Sequence, residues 1–268
     1  MNPREGLVVG ISAAAFLAVA VSLAALLPNE RDVEPMFVVA LVIGYALISR
    51  VRFEFGNWYV VPEQLLFVPV LLLAPLPLVP LLVAAAAVLA MLPEFIAGSW
   101  HKQRALSSLS DCWFAVGPVL VLAAFAPGDA TLSETGVYAV ALVAQFAFDF
   151  AWTLLRDRVV DGLPARTTVE NYAGVFRFDA ILAPIAFAIT LTAADEPLML
   201  LTIGPLVWLL EILSRDRRER YAAALELQRA YRGTVMLLAD VVDAPGVEGA
   251  AAPDEAVDLV PLLEQELG

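Results

Sequence analysis

Eight polar residues interrupt the long apolar runs of this sequence, and their side chains have the clearest potential for chemistry. A charge inside an apolar helix is costly in lipid, so each of these residues is a candidate for ligand or proton binding. The set consists of six acids, one arginine and one glutamine: Glu63, Glu94, Asp111, Gln145, Asp149, Arg177, Asp179 and Glu211. The alternative is a structural role, because the helix dipole favours acids near helix N-termini and side chains near an interface can reach water.

The elements that position these residues are expected to be membrane helices, because the composition excludes a soluble protein. Of the 268 residues, 60% are hydrophobic and 17% are charged, whereas soluble domains have roughly 45–50% apolar and 25% charged residues. The net charge of −13 argues against nucleic acid as a partner. A single cysteine and a single histidine exclude a disulfide scaffold and a multi-ligand metal centre. We therefore predict no cofactor and no metal.

The apolar runs predict a polytopic transmembrane helix bundle, an all-α fold of about eight spans, over residues 1–213. A bilayer core takes about 20 apolar helical residues. The runs cover residues 7–27, 36–49, 58–97, 106–126, 136–155, 174–194 and 197–213, and the prolines near 75–79 divide the third of these into two spans. The run 36–49 is short, so seven spans is the alternative.

The placement of basic residues supports this topology. Eight spans put both termini on one side together with nearly all Lys and Arg residues, while Arg31 lies on the other side and Arg177 falls within a span. The positive-inside rule then predicts a plasma-membrane protein with cytoplasmic N- and C-termini. The intramembrane acids fall at a similar depth near the cytoplasmic leaflet. We expect a polar layer there, with Arg177 as its one fixed cation and with Asp149 or another acid as its partner.

Beyond the last span, the sequence predicts a cytoplasmic helix at residues 214–243, followed by an acidic linker and a short C-terminal helix at residues 244–268. The helix has a weak seam with the 3,4 spacing of a coiled coil: Tyr221, Ala224, Gln228, Tyr231, Val235, Leu238 and Val242. This seam predicts a homodimer through residues 221–242 or contact with a cytoplasmic signalling partner. The alternative is an amphipathic helix that lies on the lipid bilayer or on loops of its own chain.

Five segments resemble the multi-pass membrane region that precedes HD-GYP phosphohydrolase domains in many actinobacterial proteins. The resemblance covers roughly residues 35–243, in order, and its most specific part is the helix that leads into the enzyme. The segments are residues 51–75 (VRFEFGNWYVVPEQLLFVPVLLLAP), 110–118 (SDCWFAVGP), 144–150 (AQFAFDF), 178–184 (FDAILAP) and 224–242 (ALELQRAYRGTVMLLADVV).

The resemblance implies a sensory membrane module, whereas the chemistry of that family is missing from this chain. The family hydrolyses cyclic-di-GMP at a metal centre of several His and Asp residues. Here residues 244–268 correspond at most to a remnant of the start of that domain, and His101 is the single histidine. We therefore predict no catalytic residue and no enzyme activity. The expected function is a non-catalytic sensory or regulatory module of signal transduction, linked to cyclic-di-GMP through a partner or a lost effector domain. The alternative is a small-molecule membrane carrier or a substrate-binding membrane subunit.

Overall fold

The computed structural model of the protein describes residues 3–55, 58–98, 102–126 and 128–215. Within these ranges the fold is dominated by helices, which confirms the predicted helical class. Ten α-helices are described: α1 (Pro3–Leu26), α2 (Pro35–Ile48), α3 (Gln64–Leu73), α4 (Val79–Ala90), α5 (Leu92–Ile96), α6 (Lys102–Ser110), α7 (Val116–Phe125), α8 (Thr135–Arg156), α9 (Ala165–Asp195) and α10 (203–215).

Short irregular turns join several of these helices into longer continuous segments. Four of them are 3-10 turns, at Leu76–Leu78, Asp111–Ala115, Leu132–Glu134 and Pro197–Thr202, and one is a π-helical turn at Asp157–Asp161. Prolines occur both at the start of these helices and inside them. Pro35 is the first residue of α2, and Pro69 and Pro184 lie inside α3 and α9. Each interior proline removes a backbone donor from its helix.

Among the described residues, six helical segments are long and apolar enough to cross a membrane. They are Arg4–Leu26, Leu76–Ile96, Arg104–Phe125, Leu132–Asp161, Ala165–Asp195 and Pro197–Arg215. The chain is therefore a multi-pass membrane protein. Two further apolar helices, α2 and α3, occupy the positions of predicted spans but have only 14 and 10 residues. The count of eight spans stays a prediction, because both are shorter than a bilayer core requires.

A small β-hairpin, which the sequence did not predict, precedes α3. Strand β1 (Phe53–Phe55) pairs antiparallel with strand β2 (Trp58–Val60), with Phe53 opposite Val60 and Phe55 opposite Trp58. The side chains of Phe53 and Val60 are buried. The run beginning at residue 58 therefore starts as a strand, and its helix begins only at Gln64.

The short helix α3 lies at the centre of the bundle. Every residue from Gln64 to Leu72 is buried, and α3 packs against α2, α4 and α9. Such a helix needs apolar residues all round, and its sequence QLLFVPVLLL provides them after the first position. Gln64, the polar residue at that first position, therefore lies at the edge of the apolar core, where α3 begins.

Arg31, in the loop between α1 and α2, is buried and binds the C-terminal end of α3. Its guanidinium donates hydrogen bonds to the carbonyl oxygens of Leu71 (2.7 Å), Ala74 (3.1 Å) and Gly128 (2.9 Å). Burial lowers the pKa of Arg31, while nearby Tyr138, Asp129 and Glu134 act in the opposite direction. Arg31 thus supplies a positive charge at the negative end of the helix dipole and partners for carbonyls that a helix end leaves unpaired.

Helices α7 and α8 approach each other closely at Gly117. A Cβ atom built on this glycine would lie 2.5 Å from the carbonyl oxygen of Ala144 and 2.8 Å from Cδ2 of Phe148. Only glycine fits such a contact, and small residues commonly let membrane helices approach in this way. The contact fixes the position of α8 against the segment that carries Asp111.

A compact unit covers Met1–Ser214. Residues 214 and 215 of the predicted cytoplasmic helix 214–243 belong to α10. The rest of that helix, its seam at residues 221–242 and the acidic end of the chain lie outside the described residues.

Candidate functional site

A polar cavity of about 450 Å³ lies within the bundle. Four segments form its wall: the start of α3, the 3-10 turn that begins at Asp111, the second half of α8 and the first half of α9. The lining residues are Val61, Glu63, Gln64, Phe67, Asp111, Phe114, Gln145, Phe146, Asp149, Thr153, Arg156, Tyr172, Val175 and Asp179.

Helical spacing explains why these side chains meet. On α8, Gln145, Asp149, Thr153 and Arg156 recur at intervals of three and four residues and therefore share one face. On α9, Asp179 shares a face in the same way with Val175, one turn before it, and with Tyr172, two turns before it. The polar faces of α8 and α9 are thus turned towards the buried start of α3.

Five of the eight sequence-predicted residues line this cavity: Glu63, Asp111, Gln145, Asp149 and Asp179. The other three lie elsewhere. Glu94 forms an ion pair with Arg104 at 2.6 Å, Arg177 is on an exposed face of α9, and Glu211 is in α10.

Among the described residues of the cavity wall the cation is Arg156. Arg177, the cation that the sequence predicts for the polar layer, does not line the cavity. Arg156 is the last residue of α8, and its guanidinium lies beside Asp111, with Nη1 and Oδ1 3.1 Å apart. Arg177 cannot point into the same cavity as Asp179, because residues i and i+2 of a helix face different directions. The residue that lines the cavity is instead Val175, one turn before Asp179.

Arg156 is held by partners from three segments. Besides the bond to Asp111, its Nη2 atom donates to the hydroxyl of Tyr172 at 3.3 Å, and its Nε atom lies 3.8 Å from Oδ1 of Asp157. Trp152 Nε1 donates a second hydrogen bond to Oδ1 of Asp111 at 3.0 Å. The charges of Arg156 and Asp111 therefore balance each other, and this pair links α8 to the turn before α7.

The remaining three acids have no such cation. Glu63 accepts a hydrogen bond from the hydroxyl of Tyr45 at 3.0 Å, which is a neutral donor. Asp149 and Asp179 have no side-chain hydrogen bond and no ion pair within the described part of the chain. Asp179 interacts with the charges of Glu63 and Asp149, and Asp149 interacts with those of Asp111 and Glu63 and, favourably, with that of Arg156. The cavity thus carries an excess of negative charge wherever these carboxyl groups are ionised.

Two glutamines meet at the inner end of the cavity. Gln64 Nε2 donates to Gln145 Oε1 at 3.0 Å, and only 2% of Gln64 is exposed. Gln64 Oε1 has no hydrogen-bond partner among the described residues. A buried acceptor without a partner costs about 1–3 kcal/mol, so this oxygen is a position where a ligand atom that donates a hydrogen bond would be stabilised.

A second cavity, of about 470 Å³, shares part of its wall with the first. Glu63 and Asp111 line both, together with Val61 and Phe114. The second cavity is lined by three arginines as well: Arg50, Arg52 and Arg104. Glu63 and Asp111 therefore lie between the two cavities, and the second is also lined by Glu94, the partner of Arg104.

Gln64, Thr153, Arg156 and Tyr172 belong to the site although sequence reasoning did not select them. Gln64 had a signal that could have been used, because it is a second polar residue beside Glu63 in an apolar run. Tyr172 had none, since it lies in the part of α9 that precedes the predicted span.

The described residues contain no group of three or more His, Cys, Asp or Glu side chains that could hold a metal ion. The single histidine, His101, lies outside these residues. The carboxyl groups of the cavity are thus distributed around its wall and do not converge on one point.

Within the described residues, the arrangement gives a chamber with three acids that form no ion pair, one acid that is paired with an arginine, and an unpaired amide oxygen. These features can bind and orient a solute. Comparison of the chain with protein-family models, with curated proteins and with solved structures gave no match in any of the three.

Proposed function

We propose that this membrane protein is a non-catalytic sensory module of signal transduction that binds a small solute in the polar cavity. The observation that carries the proposal is the cavity itself, with its acids and the unpaired oxygen of Gln64. Pockets of about 300–1,000 Å³ with a few convergent polar groups are typical of small-molecule sites.

The position of the cavity suits a sensor, because a solute bound there touches three helices at once. Asp149 is on α8, Asp179 is on α9 and Glu63 precedes α3, so a bound solute changes the balance of charge among all three. Helix α9 contacts the 3-10 turn Pro197–Thr202, which opens the last span. This span continues in sequence into the predicted helix 214–243.

The resemblance to the membrane region of HD-GYP proteins supplies the signalling context. We place the module in cyclic-di-GMP signalling, where it acts on a partner enzyme through residues 221–242 and performs no hydrolysis itself. A homodimer along the same seam is the expected form. The support for this step is the sequence of residues 224–242 and the absence of the family's metal-binding histidines from the chain.

The first experiment measures solute binding by the purified full-length chain in lipid nanodiscs. A panel of amino acids, sugars, carboxylic acids and amines is screened by thermal unfolding. Val175→Trp places a bulky ring in the cavity and should abolish the response to the active solute. Val169→Trp is the matched control, because Val169 lies on the same helix and is 50% exposed.

The second experiment tests signalling through disulfide crosslinking in membranes. Val235→Cys and Leu238→Cys are introduced separately into a Cys112→Ala background, and crosslinking is measured with and without the active solute. A sensor should show a crosslinking yield that depends on the solute. Binding without any change at either position would contradict the sensory role.

A carrier is the second candidate, and one observation favours it. The two cavities share Glu63 and Asp111, as successive chambers of a transport route would. Proteoliposomes that contain the chain should then accumulate the solute that stabilises it. Asp149→Asn should abolish that accumulation, while accumulation equal to that of empty liposomes would exclude transport.

A further inference from the structure

The charge of the polar cavity selects the class of solute. Arg156 is the one basic side chain among the described residues of its wall, and it is engaged by Asp111 and Asp157. Asp149, Asp179 and Glu63 form no ion pair with a cation within the described part of the chain, and of the three only Asp149 interacts with the charge of Arg156. An anionic solute would therefore be repelled, and a cation would relieve the repulsion among the acids.

The unpaired oxygen of Gln64 adds a directional requirement. It is a buried acceptor on a residue that is 98% buried and that lines the same cavity as the acids. A ligand that satisfies it must carry an N–H or O–H donor. A cation without donors, such as a quaternary ammonium ion, balances the charge but leaves this acceptor unpaired.

A bare metal ion does not fit these observations. Metal sites need ligands that converge within about 2–2.6 Å of one point, and no such group of three occurs in the described ranges. The cavity volume of about 450 Å³ is also far larger than a metal ion requires.

Aromatic rings complete the wall. Phe67 and Phe114 pack edge to face with their centroids 5.1 Å apart, and Tyr172 packs against Phe176 at 5.9 Å. Three of these rings, those of Phe67, Phe114 and Tyr172, line the cavity. Aromatic faces attract ammonium groups and also accommodate methylene chains.

We propose that the cavity binds a protonated aliphatic amine, with its N–H groups donated to Gln64 Oε1 and to the carboxylates of Asp149 and Asp179. Its methylene chain lies against the aromatic wall. This inference rests on the proposed function, since it names the solute class of the same site.

The test is isothermal titration of the full-length chain in nanodiscs with four probes of different chemistry. The probes are 1,4-diaminobutane, n-butylamine, tetramethylammonium and magnesium chloride. We expect 1,4-diaminobutane to bind most tightly, n-butylamine to bind more weakly, and tetramethylammonium to bind at least about 10-fold more weakly than 1,4-diaminobutane, because it has no donor for Gln64. Magnesium should bind most weakly of the four.

Substitutions then locate the binding. Asp149→Asn and Asp179→Asn should each weaken 1,4-diaminobutane binding by about 10-fold or more, which is the usual effect of a lost charge-assisted hydrogen bond. Asp195→Asn is the matched control, because Asp195 is an exposed acid at the other end of α9 and does not line the cavity. Gln64→Leu should weaken binding of the primary amines and leave tetramethylammonium binding unchanged.

The outcomes separate this inference from the proposed function. If no amine binds but a neutral or anionic solute of the wider panel does, and Val175→Trp abolishes that binding, the amine is wrong and the solute-binding module stands. If no solute binds, both fail. Equal affinities for 1,4-diaminobutane and tetramethylammonium would overturn the role of Gln64. Should one Asn variant not fold, the other and Gln64→Leu test the same site.

Discussion

Replacement of Arg31 by alanine should strongly destabilise the bundle. The guanidinium donates to three carbonyl oxygens, those of Leu71, Ala74 and Gly128, from a residue that is 3% exposed. A hydrogen bond with a charged partner contributes about 1.5–3 kcal/mol. The desolvation of Arg31 offsets part of this gain, as its lowered pKa indicates. We therefore expect Arg31→Ala to lower the free energy of unfolding by about 3–5 kcal/mol.

The assay is reversible unfolding in mixed detergent micelles, followed by tryptophan fluorescence. Arg31→Lys should lose an intermediate amount, because one ammonium group keeps the charge but lacks the planar fork that reaches acceptors in two segments. Arg177→Ala is the matched control, since Arg177 is exposed. A loss below about 1 kcal/mol for Arg31→Ala would refute the argument that this residue closes the end of α3.

Three further predictions concern the cavity and the helices around it. Gly117→Val should destabilise the chain by about 2–3 kcal/mol, because its Cβ would meet the Ala144 carbonyl. Gly136→Ala should be tolerated, because nothing lies within 4 Å of the added Cβ. Thermal unfolding compares the two variants. A double-mutant cycle of Asp111→Asn and Arg156→Gln should give a coupling energy of about 0.5–1 kcal/mol, since both side chains are partly exposed. Additive effects of the two substitutions on the free energy of unfolding would contradict their pairing. Phe67→Leu should cost about 1 kcal/mol through loss of the edge-to-face contact with Phe114, and an unchanged unfolding midpoint would count against that contact.

The positions of the helices could be predicted because apolar composition is a local signal. Each predicted span contains a helix of the structure, and the division of residues 58–97 falls where α3 ends and the 3-10 turn Leu76–Leu78 begins. The hairpin was missed because three of its six paired residues, 58–60, belong to a long apolar run that dominates the pattern, and the other three lie shortly before that run. Strand pairing also depends on a partner segment, which composition does not identify.

The level of the site residues along their helices could be predicted, but the directions in which their side chains point could not. The sequence places Asp149, Asp179 and Arg177 at similar levels of their helices, and it gave no information about how each helix is rotated. The rotation of α9 turns Asp179 towards the cavity and Arg177 away from it. Arg156 was not predicted as a site residue, because its partner Asp111 lies more than 40 positions away in sequence and the pattern of the helix does not identify it. A long side chain at the end of a helix can reach such a partner.

The shortness of α3 has an electrical consequence. Its 10 residues rise about 15 Å, so the acids at its beginning lie about half the thickness of a bilayer core away from Arg31 at its far end. For a bilayer core with Arg31 at one surface and α3 along its normal, we expect a monovalent cation in the cavity to have crossed about half of the transmembrane potential. Each 100 mV then changes its occupancy energy by about 1 kcal/mol. The occupancy of the cavity by a cation should thus follow the energisation of the membrane as well as the concentration of the solute.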